Sequence, residues 1–259
     1  MARIKDQAIC IRHREWSETS QVVWLLCEQH GKVRGLAKGS RKTSPSSIAR
    51  FSGGIDLLTR GQVMFVTKPT AELATITEWD LQKPHRHFRT DLRSQHLGLY
   101  AADLANAFLA DHDPHPVAFA ALARVLWELG DPARHEGAVL RYQWDLLQDA
   151  GFRPELHQDA QTGGRLADRE TYTFDAEAGG LTEAPGTARA KNSSWRVRRQ
   201  TVQVLRALGD NPDTESESGS VPTAEARDAV VRANRLLCVY ARTKLDRELP
   251  TMQFLLKGP

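Results

Sequence analysis

Residues 29–55 hold Lys32, Arg34, Lys38, Arg41, Lys42 and Arg50 and no Asp or Glu. A second acid-free run, residues 184–209, holds Arg189, Lys191, Arg196, Arg198, Arg199 and Arg206. Cations gathered without counter-charges raise the local potential and release counterions from a phosphate backbone on contact, the electrostatic basis of nucleic-acid affinity. The acids gather elsewhere: Asp210, Asp213, Glu215 and Glu217 stand in the stretch GDNPDTESESGSVP, which reads as a flexible acidic loop. Trp16 and Trp24 are the candidate base-stacking residues beside the first run. Trp24, inside the apolar run VVWLL, reads as core instead, whereas Trp16 sits near a strand end.

Other residue groups invite metal chemistry. Asp111, His112, Asp113 and His115 combine carboxylate and imidazole, the ligand set of hydrolytic metal sites, and a metal-dependent phosphodiesterase is one alternative function. The same segment, DHDPHP, carries two prolines and reads as a polar connecting loop. Cys27 and His30 have half a zinc spacing and no second half, and Cys10, Cys27 and Cys238 are too few for a disulfide framework. There is no nucleophile elbow, phosphate loop or paired catalytic carboxylate. The chain therefore reads as acting by binding, not as an enzyme, and without a cofactor. A helical hub for protein partners is a further alternative.

The elements that must position these residues change period near Pro84. Residues 7–14, 21–29, 32–38, 55–66 and 71–79 alternate or run in short apolar blocks between turn residues, with a turn expected at Arg60 and Gly61. Five or six short strands in so short a stretch suit a small closed barrel of the OB type. Residues 40–50, SRKTSPSSIAR, read as a mobile loop of that barrel. Beyond Pro84 three helical patterns follow, with Pro116 near one start and Gly151 after one end. Residues 152–190 read as a loop-rich insertion with a short strand at Tyr172 and Phe174, and helical spacing resumes at Val197 and again after Thr223. Arg196, Arg198 and Arg199 would then open a helix. There they either pair with the acidic loop or extend a DNA track. The fold class is α+β: an OB-type barrel over 1–80, then a helical domain over 81–259 with the insertion at about 152–190.

The 259 residues, at roughly 150 per domain, allow one large or two smaller domains. A hydrophobic content of 41%, a charged content of 26% and a mean hydropathy of -0.47 describe a globular protein. The net charge of +3 is too mild to argue for nucleic acid, so the argument rests on how the charge is distributed. No run is long and apolar enough for a membrane span, the first ten residues lack a secretory h-region, and a cytoplasmic location is expected.

Several separated segments resemble the bacterial RecO family. Arg14, Trp16, Glu18 and Thr19, then Gly31 and Lys32, then Lys38, Gly39, Arg41 and Lys42 follow that family's order. Leu146, Leu147, Gly151, Phe152 and Pro154 match its Leu-Leu-x-x-x-Gly-Phe-x-Pro stretch, and YARTKLDRELPTMQFL matches near the end. The resemblance implies a non-enzymatic recombination mediator with an N-terminal OB domain. Such a protein binds single- and double-stranded DNA, anneals complementary strands, contacts the single-stranded-DNA-binding protein, and helps RecR load RecA. The DNA-binding residues expected on this reading are Lys32, Arg34, Lys38, Arg41, Lys42, Arg50, Lys191, Arg196, Arg198 and Arg199. Many members hold structural zinc with two Cys-x-x-Cys pairs in the insertion. Here His157, Asp159 and Ala160 stand near the first pair, Gly179 and Gly180 near the second, and no cysteine occurs from 28 to 237. A metal-free insertion follows.

Overall fold

Alternating apolar residues on five strands need a shared interior, and the strands create one by closing on themselves. In this computed structural model, which describes residues 3–67, 71–183, 193–210 and 223–256, the chain divides into two units, residues 1–135 and 136–259. In the first, β1 (Arg3–Ser17), β2 (Ser20–Cys27), β3 (Gly31–Ala37), β4 (Arg60–Val66) and β5 (Ala74–Lys83) form a barrel in the order β1-β2-β3-β5-β4. β4 returns to β1, and only β3 and β5 pair in parallel, through Gly35 with Ala74 and Leu36 with Thr75. This is the OB-type architecture the strand pattern anticipates. Ala8, Cys10, Val23, Leu25, Phe65 and Trp79 are among the side chains filling the interior. Burial drives the thiols of Cys10 and Cys27 well above their ordinary pKa, and Cys10, Cys27 and Cys238 are all buried.

Three features of the barrel differ from the sequence reading. The basic stretch between β3 and β4 is not simply a loop: Ser44 caps α1 (Pro45–Phe51), accepting from the Ser47 amide, and Pro45 opens it. Phe51 at its end joins the barrel core. Arg60 and Gly61 make no turn but begin β4. Gly61 is required there because a Cβ would lie 2.4 Å from the Asp80 carbonyl oxygen and 2.9 Å from the Trp79 ring. The core tryptophan is Trp79, whereas Trp24 points outward and is only partly buried, since its neighbours Val23 and Leu25 face in.

Two helices complete this unit. α2 (Leu92–Phe108) starts at Asp91, whose carboxylate accepts from the Arg93 and Ser94 amides, and α3 (Pro116–Glu128) starts at the expected proline. α2 packs on β1, where outward-facing Ile9 is fully buried.

α4 (His135–Asp149) leads into the second unit and ends at Gly151, with φ +79°. The Phe152 amide donates back to the Leu147 carbonyl at 2.7 Å. The insertion holds more strand than its composition suggests. β6 (Thr171–Asp175) pairs with β7 (Gly180–Thr182) on one side and β8 (Ser194–Arg198) on the other, all antiparallel. β8 takes residues expected to open a helix, and α5 (Arg199–Asp210) begins only after it. α6 (Ala224–Leu245) is capped by Thr223, and α7 (Gln253–Leu256) closes the described chain. Phe174 from β6 meets Tyr240 of α6 edge-on at 5.4 Å, and buried Gln143 donates to Asn234 at 2.7 Å, joining α4 to α6.

Near the positions where the resemblance implies zinc ligands, hydrogen bonds tie the two segments together. The Asp159 carboxylate accepts from the Thr162, Gln161 and Glu183 amides, the last at 2.6 Å, and is held below the usual carboxylate range chiefly by the Glu183 amide. The Ala160 amide donates to the Leu181 carbonyl at 2.8 Å. Among the described residues no three His, Cys, Asp or Glu side chains are grouped to hold a metal ion, and no helix is long and apolar enough to cross a membrane.

Candidate nucleic-acid interface

One end of the barrel brings the Trp16 hairpin together with Lys38, Arg41 and Lys42. The tip of the β1–β2 hairpin lies against the loop leaving β3: the Arg41 amide donates to the Thr19 carbonyl at 3.0 Å, and the Gly39 amide to the Ser20 hydroxyl at 3.1 Å. Gly39 has φ +70°, a backbone region open to glycine at little cost, and the Ser47 hydroxyl donates to its carbonyl. Beneath the loop, buried Gln21 accepts from the Ser40 hydroxyl and the Ile55 amide and donates to the Ile55 carbonyl. This network fixes a loop that would otherwise be free to move.

Lys38, Arg41 and Lys42 project from that loop and are exposed, and Trp16 on the hairpin is 58% exposed. Arg41 pairs with Glu15, an exposed contact of small energetic weight. Lys38 and Lys42 have no carboxylate partner among the described residues. Arg50 is exposed on α1, but its guanidinium donates to the Thr77 carbonyl at 3.0 and 3.2 Å and lies over the Phe51 ring.

Lys32 and Arg34 do not join this group. Both project from the outer face of β3 toward the α2–α3 connection, where the Asp111 carboxylate lies 3.2 Å from the Lys32 ammonium and 3.5 Å from Arg34 Nε. The Lys32 ammonium also donates to the Asn106 carbonyl at 2.8 Å, and the residue is 8% exposed. Its charge is spent holding the helices to the barrel. Asp111 is therefore a counter-ion to β3, and Asp113 faces His115 at 3.4 Å, which accounts for the carboxylates that suggested a metal site.

Two arginines outside the first basic run belong to the same surface. Pairing across β1, β2 and β3 sets Arg12, Trp24 and Arg34 in one row, with the Arg12 guanidinium 5.3 Å from the centre of the Trp24 ring. Arg14 is exposed two positions further along β1. The row could be read from the sequence only with the strand register in hand.

The second basic run divides in the second unit. Arg196 and Arg198 alternate with buried Val197 on β8 and share a face with Thr171 and Thr173 of β6. Arg199 pairs with Asp168 at 3.1 Å and Glu170 at 3.4 Å. Lys191, Asp213, Glu215 and Glu217 lie outside the described residues. Near α5, Trp144, Arg153, Glu155, His157 and Arg206 line a cavity of about 330 Å³.

An exposed indole beside Arg41 and the carboxylate-free Lys38 and Lys42 at the end of an OB barrel can hold a nucleic-acid strand, the cations meeting phosphates and the ring meeting a base. Comparison with known proteins agrees with this geometry. Residues 1–85 match the family model described as Recombination protein O N terminal, and residues 89–253 match Recombination protein O C terminal. The chain is 28% identical over 257 residues to DNA repair protein RecO of Anaeromyxobacter sp. (strain Fw109-5), covering 98% of this chain and 95% of that one. It is also 28% identical over 255 residues to DNA repair protein RecO of Myxococcus xanthus (strain DK1622), covering 98% of each. With both family models matched in order along nearly the whole chain, the chain belongs to the RecO family.

Proposed function

We propose that this chain is a recombination mediator of DNA repair that works by binding. It holds single- and double-stranded DNA, anneals complementary strands, and helps RecR load RecA onto DNA covered by the single-stranded-DNA-binding protein. The observation that carries this reading is the convergence of Trp16, Lys38, Arg41 and Lys42, with Arg14 beside them, at one end of the barrel. Residues 1–80 act as the DNA-binding domain and 81–259 as the helical domain. Cations at the barrel end neutralise phosphates, so two strands approach with less repulsion and their bases can meet; no nucleotide or other cofactor is consumed. Arg196 and Arg198 offer a second basic surface, and the site of action is the cytoplasm.

The test is a strand-annealing assay with complementary oligonucleotides and no nucleotide. Acceleration by the protein that weakens steeply with salt supports the reading. Annealing at the rate of protein-free DNA, at low salt, contradicts it.

A further inference from the structure

Among the described residues, the most exposed large apolar side chain is not at the barrel end just described. Trp127, on α3, leaves 68% of its surface in solvent, more than Trp16. Its neighbours are cationic. The Lys83 ammonium lies 5.9 Å from the ring centre. Lys83 sits on β5 opposite Arg60 of β4, and Arg60 in turn reaches over the Phe119 ring of α3. Arg86 follows in the turn Arg86–Arg89, which abuts the end of α3: a Cβ on Gly130 would lie 3.3 Å from His87 Nδ1.

Lys83, Arg60 and Arg86 have no carboxylate partner among the described residues, and the Asp131 carboxylate is engaged by Arg134 at 3.5 Å. Arg60 Nε is buried without a hydrogen-bond partner among the described residues. Burial, His87, Lys83 and Arg60 together hold the His85 pKa down. An apolar ring set among unpaired cations matches a polyanion with aromatic faces better than it matches an apolar protein surface.

We propose that Trp127, with Lys83, Arg60 and Arg86, is a second single-stranded nucleic-acid site, a base stacking on the indole while the cations meet the flanking phosphates. This rests on the DNA-binding reading above and extends it. From Ala74, beside the first site, to Lys83, β5 covers about 30 Å of strand at ~3.3 Å per residue. A short oligonucleotide therefore engages one platform or the other, and one protein molecule holds two strands at once, the arrangement that annealing requires.

The full-length protein is cross-linked to a short iodouracil-substituted oligothymidylate, and the adducts are located by mass spectrometry. Adducts are expected both at the Trp16 hairpin and at Trp127. Trp127→Ala, and Lys83→Glu combined with Arg86→Glu, should remove only the second adduct. They should weaken binding of a second strand about ten-fold, within the range for one stacked base, and slow annealing. Trp127→Ala should leave thermal unfolding unchanged, because the side chain is exposed. Adducts confined to the hairpin, with annealing unaffected by Trp127→Ala, would overturn the second site alone. No adduct anywhere would overturn the DNA-binding reading and this proposal with it.

Discussion

The Asp111 carboxylate stands 3.2 Å from the ammonium of Lys32, 79 positions earlier in the chain, where the α2–α3 connection meets β3. This contact separates cations that hold the fold from cations free to meet a ligand. Lys32→Met leaves the Asn106 carbonyl without its donor and should lower stability by about 1–2 kcal/mol in urea unfolding. The salt dependence of DNA binding should stay as in the wild type. Asp111→Asn should do the reverse on DNA: it releases Arg34, and affinity at low salt should rise with a steeper salt slope. Weaker, less salt-dependent DNA binding by Lys32→Met at unchanged stability would show Lys32 contacting DNA directly.

Trp16 contributes little to the core, being more than half exposed. Trp16→Ala should leave the melting temperature within a degree or so of the wild type, while costing about 1–3 kcal/mol of single-strand affinity if a base stacks there. Loss of folding without loss of affinity would assign Trp16 to the barrel instead.

His85 provides a pH dependence with a definite sign. Burial lowers its pKa to about 4, with His87, Lys83 and Arg60 adding repulsion against the charged form. The unfolded chain titrates near the ordinary value of about 6.5 and binds the proton more readily than the folded one. The stability associated with neutral His85 is therefore complete above that value and is lost as pH falls toward 4, by roughly 3 kcal/mol across the window. His85→Asn suits the left-handed backbone at φ +42° and should flatten this part of the stability profile. An identical slope in the variant would place the titration elsewhere.

Asp159 ties two segments of the insertion together through backbone amides. Asp159→Ala removes acceptors for the Thr162, Gln161 and Glu183 amides and should cost about 2–3 kcal/mol in the second unit. A strong chelator should leave the melting temperature of the wild type unchanged. A drop on chelation, with stoichiometric zinc released, would contradict the metal-free reading of the insertion.

The strands of the barrel were legible because a half-buried strand must alternate, and residues such as Val23, Leu25 and Val33 do so. Helix α1 was hidden because its Ser, Pro and Arg composition carries only Ile48 and Phe51 as large apolar residues. β8 was misread because Val197 also fits the helical spacing of Thr201 and Val204, and only its pairing with Tyr172 on β6 decides the matter. The basic loop at Lys38, Arg41 and Lys42 was readable from charge alone. The engagement of Lys32 and Arg34 was not, because their counter-ion comes from a connection far along the chain. The site around Trp127 is not legible in the sequence for a similar reason, since the cations around it arrive from β4, β5 and the turn after β5.

The most direct test of the barrel-end assignment is fluorescence anisotropy with labelled single-stranded DNA across a salt series, comparing the wild type with Lys38→Glu combined with Arg41→Glu. Steep salt dependence is expected in the wild type. In the variant, weaker binding is expected with a log–log slope shallower by about 1.4, two phosphate contacts at ~0.7 each. Equal affinity and equal slope in the two proteins would contradict the claim that this end of the barrel carries the DNA.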